Sequence, residues 1–272
     1  MGLSIQTNIA AMDAHRNLVN TSDMLSQSME RLSSGYRINS AADDAAGLSI
    51  SEKLDAQVSS LQQAQQNAQD AVSLVQTADG SMNEVQSMLQ RVRDLAVEYN
   101  NGTLSSADQA AITNEVAQLC AEVEQIGGQT AFNGIALLSG GATITFQVGA
   151  DDGEVVTVNA LKLFGSGSGF AIDSSIFTFS GATITLASID AAIDSVSTAR
   201  STFGAVQNRL QHTLNNLATY QENLSASESS IKDVDMASEM VNFTKLQVLQ
   251  QAGTAMVAQA NSDQQSVLKL LQ

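Results

Sequence analysis

The chain has 272 residues, a net charge of −16, no proline, one cysteine and 4% aromatic residues. This acidity disfavours nucleic-acid binding, which relies on Lys and Arg at phosphates, and no apolar run is long enough to span a membrane. The single Cys120 excludes an intrachain disulfide and is interpreted as a half-buried apolar residue on a helix, with a reactive or intersubunit thiol as the alternative.

The N-terminal segment predicts a helix over residues 1–34, because an irregular apolar stripe runs along it. Gly35 is typical of a left-handed helix C-cap, and Tyr36–Asn39 is predicted to be a connector. Ser40–Asp43 has the spacing of a capping box, which predicts that the next helix starts there.

The most regular pattern covers residues 54–96, which we call the first rod. It has an apolar residue at every seventh position, and this predicts a helix roughly 64 Å long that packs lengthwise on another long helix. The turn signal Asn100–Gly102 should end it. The seventh-residue positions are Leu54, Leu61, Ala68, Val75, Met82, Leu89 and Ala96.

A shorter helix should follow, folding back antiparallel to the first rod across a short loop. Ser106–Gln109 is interpreted as its capping box, and Gly127–Gly128 as its end. Its apolar stripe consists of Ile112, Val116, Leu119, Val123 and Ile126.

From about residue 142 the apolar period changes from 3.5 to 2, which predicts a β-hairpin around the turn Gly149–Gly153. Asp151 and Asp152 are interpreted as solvated turn residues rather than a metal or catalytic pair. Gly165–Gly169 is predicted to be a flexible link, and Ile176–Leu186 a further short β-like stretch.

A second seven-residue repeat supplies the partner for the first rod; we call it the second rod, residues 189–224. A break near Ser229–Asp233 should separate it from a final helix. The repeat positions are Ile189, Val196, Phe203, Leu210, Leu217 and Leu224.

The predicted fold is therefore mainly α: a long antiparallel coiled coil or helical bundle formed by the N- and C-terminal halves, with a small β-hairpin region mid-chain. The terminal segments are predicted to form one domain and the rods a second domain. The boundaries are 1–45 for the N-terminal helix and connector, 46–140 and 188–230 for the rod halves, 141–187 for the β region, and 231–272 for the C-terminal helix.

The two terminal helices carry more apolar surface than one helical pair can bury. We predict that they are mostly disordered in the monomer and fold when neighbouring subunits cover them, in a head-to-tail polymer. The predicted polymerisation residues are Ile9, Met12, Leu25, Met29, Leu32, Met240, Phe243, Leu246, Val248, Leu249, Leu268 and Leu271.

Long motifs near both ends make the chain resemble bacterial flagellin, in a short form with a minimal variable region. The resemblance covers roughly residues 1–160 and 188–272. The motifs are Glu30–Asn39, Ser40–Leu48, Ala64–Ala78, Met88–Ala96, Gly128–Gly134, Phe203–Leu210, Asp233–Glu239 and Val267–Leu271.

The resemblance implies a filament subunit for swimming motility that lies outside the cell, with the terminal helices as its inner core domain. No membrane insertion is expected, because no apolar run is long enough. Export would proceed without a signal peptide, through the flagellar export apparatus with a secretion chaperone. The filament cap and hook-junction proteins are further implied partners. The resemblance also implies that a vertebrate Toll-like receptor recognises Gln90, Arg91, Leu95 and Glu122, although Asp94 stands where Glu is common and rod packing is their primary role.

The alternatives to this interpretation are the flagellar hook–filament junction protein, a generic coiled-coil adhesin or scaffold, and an enzyme. The matches at 64–78 and 88–97 argue against the junction protein. His15 and His212 lack the His-Glu-x-x-His spacing of a zinc peptidase. No catalytic, cofactor or metal residues are predicted.

Overall fold

The computed structural model describes residues 8–140, 143–159, 161–165, 172–173 and 186–270. The chain forms two compact units: a terminal unit, Met1–Gln57 with Asn223–Gln272, and a rod unit, Val58–Glu222. The helices are α1 (Ile9–Ser34), α2 (Ala45–Tyr99), α3 (Ser106–Gln129), α4 (Leu186–Lys232) and α5 (Met236–Leu270). The strands are β1 (Ala131–Phe132), β2 (Ile135–Ala136), β3 (Thr143–Gln147), β4 (Val155–Asn159), β5 (Phe164–Gly165) and β6 (Ile172–Asp173).

Both ends of α1 are capped by side-chain or backbone groups. The Asn8 side chain accepts a hydrogen bond from the backbone N–H of Ala11, which satisfies one of the free donors of the first turn. At the other end Gly35 has φ 77°, and its N–H donates to the carbonyl of Arg31. The predicted left-handed cap at Gly35 is therefore confirmed.

The start of α2 differs from the prediction. Ser40 and Asp43 are hydrogen-bonded as a capping box would require, since both the backbone N–H and the hydroxyl of Ser40 donate to Asp43 Oδ2, but they form a turn before the helix. The cap is Asp44, whose carboxylate accepts from the N–H of Gly47 at 2.9 Å. Two adjacent aspartates offer the same chemistry, and the turn takes the first.

Gly47 and Gly80 both lie inside α2, in opposite surroundings. A Cβ at Gly47 would stand 2.6 Å from Asp44 Oδ2 and 2.7 Å from Cδ1 of the buried Ile38, whereas a Cβ at Gly80 would meet open space. We expect Gly80→Ala to raise the free energy of unfolding by about 1 kcal/mol, because alanine favours the helix. Gly47→Ala should lower it by about 1 kcal/mol through loss of the cap.

Urea unfolding followed by circular dichroism measures both substitutions under the same conditions. Equal effects of the two, in either direction, would contradict this explanation of the two glycines.

The rod unit contains the predicted pairing of two long helices. The repeat positions from Leu61 to Ala96 in α2 are at most 1% exposed, and those from Ile189 to Leu217 in α4 at most 8%. Leu54 and Leu224, at the outer ends of the repeats, are half-buried. Side-chain contacts show that the helices run antiparallel, because higher numbers in α2 meet lower numbers in α4. The contacts are Gln65 with Gln221 at 2.8 Å, Asp79 with Arg200 at 2.9 Å, and Arg93 with Asp190 at 2.7 Å.

The third helix buries its predicted stripe, with Ile112, Val116 and Val123 in the core and Leu119 and Ile126 packed against it. Its two boundaries were predicted wrongly.

At the start of α3 the capping box uses Ser105 with Asp108, one residue earlier than predicted. Hydrogen bonds from the Ser105 hydroxyl and N–H also lower the pKa of Asp108. At the other end, Gly127–Gly128 does not end the helix, which continues to Gln129. Gly127 is buried, and Leu163 fills the space beside it, so packing overrides the helix-breaking tendency of glycine.

The predicted hairpin is confirmed as β3 and β4, which pair antiparallel with Ile144 opposite Val158 and Phe146 opposite Val156. The structure adds a hairpin that was not predicted, β1 with β2, around Asn133–Gly134. Both turn residues have positive φ, at 49° and 79°, as a tight two-residue turn of this type requires.

A parallel pair, β5 with β6, was not predicted either. Of the predicted link Gly165–Gly169, only Gly165 lies within the described residues, at the end of β5. The predicted β-like stretch Ile176–Leu186 lies outside them except for Leu186, which begins α4.

The break between the last two helices starts later than the predicted Ser229–Asp233, because residues 229–232 still belong to α4. The fourth helix ends at Lys232, and α5 begins at Met236. Asp235 caps α5, since its carboxylate accepts from the backbone N–H groups of Ala237 and Ser238.

Candidate assembly surface

Within the terminal unit, α1 and α5 pair along their length and run antiparallel. Near the start of α1, the side chain of Asn8 donates to the carbonyl of Ala260 at 3.0 Å. Further along, Leu18 packs on Gly253, and Ser28 donates its hydroxyl to Glu239 Oε1. The absence of a side chain at Gly253 lets the two helices approach closely there.

The faces that α1 and α5 turn toward each other are only partly covered. Four of the residues predicted to drive polymerisation stand there half-buried, so they already contribute to the pairing within one chain. These residues are Leu25, Leu32, Phe243 and Leu246.

Six other predicted residues are exposed on the outward faces of the two helices. Large exposed apolar side chains that recur along both helices indicate an interaction surface. The exposed fractions are Ile9 67%, Met12 65%, Met29 51%, Met240 47%, Val248 63% and Leu249 45%.

The same outward faces include exposed apolar residues that were not among the predicted polymerisation residues: Val19, Met24, Val241 and Met256. For Val241 and Met256, the signal that could have found them is the excess of apolar residues around α5. Of the remaining predicted residues, Leu268 lies in α5 without a described side chain, and Leu271 lies outside the described residues.

The connectors that flank these helices are joined by a clamp that sequence reasoning missed. The backbone of Val234 donates to Gly35, and that of Arg37 donates to Lys232. The Arg37 side chain reaches the carbonyl of Ile231 at 2.7 Å. The ammonium of Lys232 also lies 4.8 Å from the centre of the Tyr36 ring, a distance suited to a cation–π contact.

A carboxylate reinforces the connector between α1 and α2. Hydrogen bonds from the Ser40 hydroxyl and the Gln27 amide, together with backbone donors, lower the pKa of Asp43 to about 2. Arg31 places its guanidinium 3.6 Å from the same carboxylate. Asp43 therefore stays ionised and links α1 to the connector at neutral pH.

The proposed receptor-contact residues in the rod unit do not all share a surface. Gln90, Arg91 and Glu122 are exposed, and Arg91 forms an ion pair with Glu115 of α3 at 2.7 Å. Leu95 is only 1% exposed, so its predicted place on the surface is wrong. It belongs to the core that α2 shares with α3 and α4, because three helices rather than two cover this part of α2.

The structure gives no support to a chemical site in the described ranges. No group of three or more His, Cys, Asp or Glu side chains within them is placed to hold a metal ion. Asp151 and Asp152 are exposed in the turn between β3 and β4, and His15 and His212 are exposed on helices. Burial and the charge of Glu124 raise the pKa of the Cys120 thiol, which disfavours the reactive thiolate. None of the helices examined over these ranges is long and apolar enough to cross a membrane.

Comparison with known proteins places both ends of the chain in one family. The profile of the bacterial flagellin N-terminal helical region matches residues 5–143, and that of the C-terminal helical region matches residues 186–271. A flagellin of Halalkalibacterium halodurans is 47% identical over 98% of this chain and 99% of its own length. A flagellin of Bacillus subtilis is 41% identical over 99% of this chain and 100% of its own length.

Among solved structures, a protein of Vibrio parahaemolyticus described as flagellar hook-associated has a similar fold. The TM-score is 0.60, at 16% identity, over 70% of this chain and all of the other. At that identity the likeness concerns the fold alone.

Proposed function

Because the chain belongs to the bacterial flagellin family, we propose that its subunits join head-to-tail through the exposed apolar faces of α1 and α5. The chain is a structural subunit of the bacterial flagellar filament, which lies outside the cell and serves motility. The observation that carries the proposal is the outward surface of the two terminal helices, where large apolar side chains from Ile9 to Met256 stay exposed.

A filament grows without limit only if its subunits join head-to-tail. A symmetric contact between two identical faces closes into a dimer, whereas a contact between two different faces continues as a filament when its rotation does not close into a ring. The terminal unit offers two such faces, one on α1 and one on α5, and each carries exposed methionine and branched apolar residues. Contacts between unlike faces of neighbouring subunits would cover both.

Assembly also supplies the free energy that the terminal helices need in order to fold. Ordering each residue costs roughly 1–2 kcal/mol of backbone entropy, while burying one large apolar side chain contributes about 1.5–3 kcal/mol. In a single subunit the outward residues, such as Val248 at 63% exposure, contribute little of this. The terminal helices are therefore mostly disordered in the monomer and fold when neighbours cover them.

The rival reading as a flagellar hook–filament junction protein has less support. The likeness to the Vibrio protein is one of fold at 16% identity, whereas the flagellin relatives reach 47% over nearly the whole chain. A generic coiled-coil adhesin would have no need for an apolar surface outside its heptad seam.

Further proposed partners are the proteins that a filament subunit meets during its export and assembly. The flagellar export apparatus and a secretion chaperone would handle the chain before assembly, and a chaperone would shield apolar segments such as α5. The filament cap and hook-junction proteins would meet it at the two ends of the filament. Each of these partnerships rests on family membership and on the exposed terminal surface.

A vertebrate Toll-like receptor is a further proposed partner, at the exposed residues Gln90, Arg91 and Glu122. Leu95 is left out of this surface because it is buried. The same residues face solvent in one subunit and would contact neighbours in the filament, so the receptor would recognise the monomer rather than the assembled polymer.

Seeding tests the proposed function. Purified monomer mixed with short filament fragments should elongate them, as seen by electron microscopy, with little growth in the absence of seeds. An adhesin-like coiled coil would instead form parallel oligomers of fixed size in sedimentation experiments, with or without seeds. That outcome would contradict head-to-tail assembly.

A further inference from the structure

The fifth helix could pair with α1 through more than one of its faces. The residues turned away from α1 are as apolar as those turned toward it, and they are 45–67% exposed. Apolar burial is not directional, so it does not by itself select the face used inside the subunit. The outward residues concerned are Met240, Val241, Val248, Leu249 and Met256.

One contact between two buried side chains distinguishes the face that α5 uses, whereas the hydrogen bond from Asn8 to Ala260 reaches only a backbone carbonyl. Ser28 is 3% exposed and Glu239 8%, and the Ser28 hydroxyl donates to Glu239 Oε1 at 2.5 Å. A buried carboxylate is unfavourable unless a donor reaches it. If α5 turned by one residue, about 100°, Glu239 would lose this donor and Met240 would approach α1.

The clamp between the connectors does not make this choice. Its hydrogen bonds join residues 35–37 to residues 231–234, none of which lies within α1 or α5. The clamp fixes the position along the chain at which α1 and α5 begin to pair. The choice of face is left to contacts within the pair.

We propose that the Ser28–Glu239 hydrogen bond selects the face by which α5 pairs with α1, and thereby determines which apolar face remains available to neighbouring subunits. The inference rests on the proposed function, because a selected outward face matters only if neighbours bind it. Single buried polar groups fix the alignment of helices in this way in coiled coils. Ser28 and Glu239 act as positioning residues and do not themselves contact a neighbour.

Cysteine cross-linking reports the face directly. An ideal Cβ at Gly253 lies 3.8 Å from Leu18 Cβ, a separation at which a disulfide can form. In a Cys120→Ser background, the pair Leu18→Cys with Gly253→Cys reports the native face. The matched pair Leu18→Cys with Thr254→Cys reports α5 turned by one residue. The measurement is the ratio of the two cross-linking rates in seeded filaments.

We expect the native pair to cross-link at least about tenfold faster than the turned pair, because the Glu239 carboxylate of α5 would lose its hydrogen bond from Ser28 if the helix turned. Adding Ser28→Ala or Glu239→Leu should lower this ratio about tenfold. Glu239→Gln, whose amide oxygen still accepts from Ser28, should restore it. Ratios that stay within about twofold of the parent in both disruptive variants would overturn the inference.

Filament growth is scored separately, so the two ideas fail in different ways. If the parent chain does not elongate seeds, the proposed function is wrong. If it elongates and the ratio does not respond, only the selection of the face is wrong. A variant that does not elongate seeds by itself is mixed as a minor fraction with the parent chain, and the same ratio is read for the variant subunits incorporated in those filaments.

Discussion

Deleting residues 1–34 or 235–272 is expected to abolish elongation of filament seeds. Either deletion removes one of the two unlike faces that a head-to-tail contact needs, so the other face has nothing to bind. The rod unit should remain helical, because its core is contributed by α2, α3, α4 and the β region, and no described residue of α1 or α5 belongs to it. Electron microscopy measures the growth, and circular dichroism measures the helix content.

Two controls show whether the deletions act on assembly rather than on folding of the rod unit. A mixture of the two deleted chains should also fail to elongate, because each subunit still lacks one face. The rod unit of each should unfold cooperatively in urea. If either deleted chain extends seeds as the full chain does, assembly through the terminal helices is wrong.

A matched pair of leucine substitutions should separate folding from assembly. Leu210→Ala removes a fully buried side chain from the core of the rod unit and should lower the free energy of unfolding by about 2–5 kcal/mol. Leu249→Ala, at a residue 45% exposed, should change it by less than about 0.5 kcal/mol. The same substitution should raise the critical concentration for elongation about tenfold or more, because the lost side chain is buried only between subunits.

Urea unfolding of the monomer and the protein concentration remaining after seeded growth are the two readouts. Tyr220→Ala, at a residue 47% exposed on α4 and outside the terminal helices, is the control and should leave both nearly unchanged. A Leu249→Ala chain that assembles at the normal critical concentration would remove the α5 face from the contact.

The long helices were predictable because their signal is repeated. Each seventh residue from Leu54 to Ala96, and again from Ile189 to Leu224, independently indicates the same seam, so single exceptions do not matter. The pairing of these helices followed from the need of each rod for a partner of similar period and length. Their antiparallel direction followed from a chain that goes out along one rod and comes back along the other. No such redundancy exists at a helix end or in a short strand.

Helix boundaries were predicted at the wrong residue where two neighbouring residues can cap the helix with nearly the same free energy. Ser105 caps α3 although Ser106 was expected, and Asp44 caps α2 although the box at Ser40–Asp43 was expected. Gly127–Gly128 was expected to end α3, but packing against Leu163 extends the helix beyond it. Local propensity is weaker than these tertiary contacts.

The candidate surface was predictable only in part. Exposed residues such as Met12 and Val248 lie on the predicted helices. Which face of each helix stays exposed, however, depends on contacts between residues some 200 positions apart. Ser28 with Glu239 and Gly35 with Val234 are of this kind. Leu95 shows the converse, since α3 and α4 bury a residue that was assigned to the surface.

Hydrogen exchange of the backbone amides in α1 and α5, compared between monomer and filament, tests the central claim most directly. If the terminal helices fold only where neighbours cover them, their amides should exchange rapidly in the monomer and become strongly protected in the filament. Amides of α2 and α4 in the rod unit should be protected in both states and serve as the internal reference. Strong protection of α1 and α5 in the monomer, unchanged on assembly, would contradict the account.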